Sequence, residues 1–259
     1  MTTPTTISMP VVHYEAPPVN PSTSGLYLVS QIHESAAGAP NRILGGIDVW
    51  PINYDTGWGT WPSDPCSTPD PGLLKAGVRS QPEDAFTPLE VWGWDECDPT
   101  EPVETIKTRA LQNLRLHEQG LVEAHFATRL LADAGTPVSV PDLVAAIGEL
   151  EVAIGETGTT GIIHLSMRYS SALDAAGIIP SSSSPIPRTR LGNALAFGGG
   201  YDAVLGSTLV ATGPTTVWRS ETFVQDTVDV DANIRAALAE RTVVAGYESL
   251  IAAVKVGTP

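Results

Sequence analysis

The run Gly198-Gly199-Gly200, followed by Tyr201 and Asp202, is the first place where residue types suggest chemistry. A glycine loop cradles phosphate when it joins a strand to a helix N-terminus, and the commonest version carries a lysine. No lysine follows here and Leu205–Ala211 reads as a strand, so the glycines read as a tight strand-to-strand connection. The histidines His13, His33, His117, His125 and His164 are scattered. His117 and His125 share one helical stretch but lie two turns apart, too far to ligate one metal unaided, and read as solvated or interface residues. Ser166 sits in His164-Leu165-Ser166-Met167-Arg168, which lacks the flanking glycines of a nucleophile elbow. The carboxylate pairs Glu118/Glu123 and Glu149/Glu151 have no partnered acid or base and read as solvated helix faces. For Cys66 and Cys97 a disulfide, a reactive thiol and two buried thiols are all open, burial being the usual habit. Two cysteines without a histidine at finger spacing do not complete a zinc site. The sequence therefore predicts no catalytic residue, no metal and no cofactor.

Tryptophan is the conspicuous residue. Trp50, Trp58, Trp61, Trp92 and Trp94 fall within residues 44–97, among many prolines and glycines. Such a set could form a ligand cage, a carbohydrate platform, an anchor on a second subunit, or a small core of its own. Large aromatic side chains are enriched where proteins meet, so burial of Trp58, Trp61, Trp92 and Trp94 at a subunit interface is physically sensible, and a small core within the same chain equally so.

The elements that would position these residues change character along the chain. Residues 1–24 are rich in Thr, Pro and Ser and predict an extended arm that orders only against something else. Gly25–Ile32 reads as a short strand. Gly46–Trp50 and Leu89–Trp94 read as strands flanking a long irregular excursion, and Pro/Gly-rich excursions of that length are usually functional. From about Glu101 to Ala134 the pattern predicts one long helix, with Thr100 as cap and Pro102 in the first turn. Leu111, Leu114, Leu121, Ala124 and Leu131 mark its expected buried stripe, and Gly135 and Pro137 its end. A second helix is predicted over Val140–Ile154, capped by Ser139 with Asp142, with Leu143, Ile147, Leu150 and Ile154 facing inward. Next come a strand at Gly161–Leu165, a short helix near Arg168–Ala176, and strands at Ala194–Phe197, Leu205–Ala211, Thr215–Trp218, Glu221–Val228, Ala237–Ala245 and Ser249–Val256. No internal repeat is evident. The class is α+β.

The chain has 259 residues, 42% of them hydrophobic, enough to bury a sizeable core. Charged residues make up only 17%, a composition suited to a surface hidden against other copies. The net charge of −15 opposes counterion-release binding to nucleic acid, so sequence-reading DNA contact is not expected. Met1 to Pro21 has no basic segment followed by an apolar run, and no stretch is long enough to span a membrane. The expected setting is a cytoplasm.

From about Thr105 to the end, the order of elements resembles the Hong Kong 97-type capsid fold of tailed-phage major capsid proteins and encapsulins. The matching segments are a spine helix Thr105–Ala134 and an Ala-Ile-x-x-Leu helix at Ala146-Ile147-Gly148-Glu149-Leu150. They continue with the strand Gly161–Ser166 and closing strands around Thr216–Phe223 and Ala239–Glu248. In particular the chain resembles actinobacterial phage structural proteins. The resemblance implies an N-terminal arm (1–24), an extended-loop region (25–100) and a body (101–259, spine about 101–134). It further implies a non-enzymatic major capsid protein that self-assembles into hexamers and pentamers of an icosahedral shell. The partners implied are other copies, with scaffold, portal and decoration proteins, around double-stranded DNA held without sequence-specific contact; the location is the virion, assembled in host cytoplasm. A head decoration, connector or tail protein, an encapsulin-like compartment and a soluble enzyme are the alternatives. Residues 44–97 depart from the family, whose loop is usually a plain β-hairpin.

Overall fold

The structure, a computed structural model, describes residues 11–53, 57–61, 66, 72, 74–82, 84–181 and 184–257. The arm expected over 1–24 is therefore described from residue 11, and residues 1–10 lie outside the described part. Residues 11–24 carry no regular secondary structure. They lie against the long helix through Glu15 to Arg109 (3.4 Å), Gln112 to the Val19 carbonyl (2.6 Å) and Arg115 to Asn20 (2.6 Å).

The chain then forms α1 (Leu26–Val29) and β1 (Gln31–Glu34) where one strand over Gly25–Ile32 was expected. Gly25 turns the chain at φ 88°, a left-handed conformation that only glycine adopts readily, and this breaks the predicted strand. Gly46–Trp50 is likewise not a strand. A 3-10 turn at Arg42–Gly45 leads to a single bridge, Ile47 to Phe86. The return strand is real and longer than expected, β2 (Leu89–Cys97).

The spine helix is α2 (Val103–Ala134), ended by Gly135 at φ 60°. Its start lacks the expected cap: Pro102 stands at the cap position with no side-chain hydrogen bond. The buried face also differs. Ile106, Ala110, Leu114, Glu118, Val122, Phe126 and Leu130 form the inward row, at a strict spacing of four. Of the expected stripe only Leu114 is buried; Ala124 and Leu131 are half-buried, and Leu111 and Leu121 face outward. Leucines occur on more than one side of this helix, so its own pattern could not choose the face.

After α2 come β3 (Val138–Val140), α3 (Leu143–Glu156), β4 (Ile162–Ser166), α4 (Ser170–Ala175) and β5 (Ala194–Gly198). Asp142, not Ser139, caps α3, accepting from the Ala145 N–H at 2.8 Å. Ser139 instead belongs to β3, and Pro141 lies before the cap rather than in the first turn. The inward face of α3 holds Ile147, Leu150 and Ile154 as expected, with Ala146 added and Leu143 only half-buried. The chain closes with α5 (Asp202–Leu205), β6 (Thr208–Thr212), β7 (Thr215–Arg219), β8 (Phe223–Asp229), β9 (Ile234–Tyr247) and β10 (Leu250–Val256). The glycine run thus leads into one short helical turn, not directly into a strand.

Among the described residues the strands form two sheets. In the first, β9 is flanked by β2 on one side and by β8 and then β7 on the other, with β1 parallel to β7. The second has the order β3-β10-β6-β4-β5. Its strands β6, β4 and the end strand β5 are buried along their whole length. Ile163, Leu165, Leu195 and Leu209 point to the α3 side, while Ile162, Ala194, Ala196 and Val210 point to the spine, the period of two that strands impose. The spine serves both sheets. It meets the first so closely that a Cβ on Gly93 would lie 2.4 Å from the Ala110 carbonyl oxygen. It meets the second through Phe126, edge-on to His164.

His164 is fully buried between Tyr201 Oη (3.1 Å) and Thr212 Oγ1 (2.9 Å), not solvated as expected. Burial disfavours its imidazolium and pushes its pKa from 6.5 down to about 3. The unfolded chain therefore takes up a proton below about pH 6.5 that the folded chain refuses until about pH 3, so stability is lost as the pH is lowered through that window. In His164→Gln, urea unfolding followed from pH 6 to pH 4 should show a slope shallower by about 1.4 kcal/mol per pH unit than wild type.

Candidate assembly surfaces

Two carboxylates expected to be solvated are buried in the spine, and they organise its surroundings. Glu123 Oε1 accepts the Leu26 N–H at 2.9 Å and Gln119 Nε2 at 2.8 Å, and Oε2 accepts the Gly200 N–H at 2.9 Å. Every partner is a donor, the complement that an ionised carboxylate requires when water is excluded. The surrounding glycines are where a side chain would not fit. A Cβ on Gly25 would sit 2.1 Å from Glu123 Oε1, and one on Gly200 would sit 2.0 Å from the Gly120 carbonyl oxygen. The glycine run that suggested a phosphate cradle thus receives a carboxylate of the same chain. Next to it, burial and then the Glu123 charge push the Tyr201 phenol well above its ordinary pKa.

One turn earlier Glu118 accepts Tyr27 Oη at 2.8 Å and Arg219 at 3.0 Å, with Arg241 at 3.6 Å. Glu34 on β1 pairs with the same two arginines. The Arg219 guanidinium also lies 5.3 Å over the Tyr27 ring. The cluster joins α1, β1, β7 and β9 to the spine. Burial, followed by Glu118, raises the Tyr27 pKa far above its usual value.

The remaining candidates do not assemble into chemistry. His13, His33 and His117 are exposed, and His125 is half-buried with its pKa lowered by burial. Ser166 donates to Asp202, whose carboxylate is occupied by Arg168. Glu149 is exposed and Glu151 half-buried on α3. Cys97 is half-buried in β2 and Cys66 exposed; they form no disulfide. No group of three or more His, Cys, Asp or Glu among the described residues is arranged to hold a metal, and no helix there is long and apolar enough to cross a membrane.

The five tryptophans of residues 44–97 lie on the outside. Trp58 is 80% exposed and Trp92 62% exposed, and Trp50, Trp61 and Trp94 are also solvent-facing. Lys75 Nζ stands 4.8 Å over the Trp61 ring. Trp92 and Trp94, two residues apart on β2, share a face, and with Leu89, Val91, His117 and Leu121 they border a groove of about 650 Å3 between β2 and the spine. β2 is the end strand of its sheet, so this groove runs along a sheet edge. The structure thus joins Trp92 and Trp94 in one surface and leaves Trp58 and Trp61 together on the excursion.

No family model matches the sequence, and no curated protein is detectably similar to it. Solved structures match along nearly the whole chain. The capsid of a native GTA particle gives a TM-score of 0.56 at 13% identity, over 94% of this chain and 100% of that one. A structure of Mycobacterium phage Adephagia gives 0.55 at 11% identity, over 98% and 96%. The mature capsid of bacteriophage PhiM1 gives 0.53 at 11% identity, over 98% and 93%. Identities this low speak for the fold. The chain has the Hong Kong 97-type capsid fold, with its long helix followed by a β-rich C-terminal part as the sequence implied.

Sequence reasoning missed Glu118, Glu123, Arg219 and Arg241. A signal existed for one of them: the row Ile106-Ala110-Leu114-Glu118-Val122-Phe126-Leu130 is apolar apart from Glu118. Nothing local marks Glu123, whose partner Leu26 lies 97 residues away. Glu123→Gln turns an N–H donor toward another donor and should cost about 2–3 kcal/mol. Gly200→Ala should cost about 3 kcal/mol through overpacking. Gly199→Ala, whose Cβ would find no atom nearer than Met167 Sδ at 3.6 Å, should cost under about 1 kcal/mol. Chemical denaturation of the three variants checks the ranking.

Proposed function

We propose that the chain is the major capsid protein of a tailed bacteriophage, the subunit of an icosahedral head shell of hexamers and pentamers around double-stranded DNA. The carrying observation is a body whose hydrophobic cores take in none of the described residues of 11–24 or 50–85, while the tryptophans of the excursion and β2 face solvent. A soluble monomer rarely leaves contiguous apolar surface of this kind uncovered. On this reading residues 1–24 are the arm, 25–100 the intersubunit region and 101–259 the body, and the role is structural rather than enzymatic. Trp58 and Trp61 reach across a subunit boundary, and Trp92 and Trp94 face a neighbouring copy.

The electrostatics suit an enclosing wall. With a net charge of −15, the subunit gains nothing from phosphate contact, so packaged DNA would be contained rather than bound. The chain's main partner is itself. Scaffold, portal and decoration proteins are the further partners that such a shell takes, and the virion, assembled in host cytoplasm, is its place.

Negative-stain microscopy of the purified chain should show closed shells. Particles filled with an enzyme instead of DNA would assign it to the encapsulin-like compartments, and a small discrete particle by sedimentation would contradict the shell reading. Trp58→Ala with Trp61→Ala should leave a folded, soluble subunit that fails to close shells, since one desolvated tryptophan at a contact is worth about 2–4 kcal/mol. Loss of the monomer fold would make the pair an internal core, and normal assembly would move the interface elsewhere.

A further inference from the structure

The excursion leaves and re-enters the body through a narrow neck. Ile47 and Phe86 exchange both backbone hydrogen bonds, at 3.0 and 2.8 Å. A Cβ on Gly46, at φ 85°, would lie 2.8 Å from the Phe86 carbonyl oxygen, so the neck closes only around a glycine. Phe86 is buried edge-on against Tyr247, with centroids 4.9 Å apart.

Beyond the neck, each limb is gripped by one charged side chain. On the outgoing limb, the Glu248 carboxylate accepts the Ile52 N–H, the Asn53 N–H (2.7 Å) and Asn53 Nδ2 (2.5 Å). On the returning limb, Arg129 donates to the carbonyls of Asp84 (2.8 Å) and Ala85 (3.2 Å), with its guanidinium 4.5 Å over the Phe86 ring. Asp133 holds that guanidinium in place at 2.5 Å and also accepts Tyr247 Oη. The grip on the outgoing limb contributes nothing to a core, since Ile52 is 78% exposed and Asn53 is exposed. It is placed where it transmits position. Glu248 lies between β9 and β10, where the chain passes from one sheet to the other, and Arg129 lies on the spine that both sheets share.

We propose that Glu248 is a positioning residue for assembly: together with Arg129 it sets the angle at which the excursion leaves the body, and so where Trp58 and Trp61 meet a neighbouring copy. The inference rests on the shell reading above. A carboxylate that takes three N–H groups from two adjacent residues fixes direction as well as distance. A limb so fixed enters an interface already ordered, which a free limb does not.

The test uses the full chain carrying Glu248→Gln, with Glu149→Gln, an exposed carboxylate of α3, as control. Hydrogen exchange at the Ile52 and Asn53 amides should speed up about tenfold, as expected for loss of a charged acceptor. The melting temperature should stay that of wild type, and the yield of closed shells should drop severalfold; the control should change none of these. Unchanged exchange at Ile52 and Asn53 would overturn the grip. Faster exchange with normal shells, or a melting temperature lowered by several degrees, would overturn the positioning role. A wild-type chain that forms no shells fails the shell reading instead, and the exchange result alone then decides whether Glu248 holds the limb.

Discussion

A buried carboxylate must find donors, and the position of much of this molecule follows from how Glu123 finds them. Its partners come from the spine itself, from the start of α1 and from the glycine run after β5. Leaving such a group unpaired in a dry interior would cost several kcal/mol, so the three segments have little freedom to separate. The glycines on either side are the steric counterpart of that demand. Gly25 and Gly200 approach the spine at distances that exclude any side chain. Chemistry that in another fold would receive a phosphate here receives the protein's own anion.

The spine is thereby fixed at a point between its contacts with the two sheets. Gly93 brings β2 directly onto the helix backbone near Ala110 and Leu114, while Phe126 meets the second sheet through His164. One helix thus carries two sheets, and among the described residues the chain passes directly from strand to strand between them twice, from β6 to β7 and from β9 to β10. A stiff rod shared by two sheets suits a flat wall element that must keep its shape while its edges make contacts. The cluster of Glu118, Arg219, Arg241 and Glu34 pins the first sheet and α1 to the same rod. Because Glu118, Arg219 and Arg241 are largely withdrawn from water, salt screens their pairing less than it screens a surface pair.

What the body does not bury defines its outside. The excursion tryptophans and the groove of β2 face solvent, and the arm lies on the spine through polar contacts that leave Val11, Val12 and Tyr14 exposed. Apolar groups spread over extended segments cannot close a core of their own, because ordering each residue costs about 1–2 kcal/mol of backbone entropy. They become favourable when a neighbouring surface supplies the other half of the contact. The proposed shell supplies it many times over, and the low charge content of the chain suits such repeated contact.

The long spine was legible in the sequence, as were α3 with its inward face, the strand before Ser166 and the β-rich end. Each rests on a local period closed by a local stop, such as Gly135 with Pro137 or Gly158. The irregular backbone of the described residues between 51 and 88 was equally local, written in proline and glycine. The face of the spine was not legible. Leu111, Leu114, Leu121, Leu130 and Leu131 allow several stripes, and the choice belongs to strands that pair more than a hundred residues later in the chain. For the same reason Glu118 and Glu123 read as solvent-facing, and the glycine run as a simple connection. A side chain's burial is a property of what is packed against it, and for these residues the sequence held the donors at distances no local pattern spans. Composition and periodicity determined the elements and their order; only the tertiary structure decided which helix face turns inward and which glycines meet it, because both depend on contacts between segments far apart in the chain.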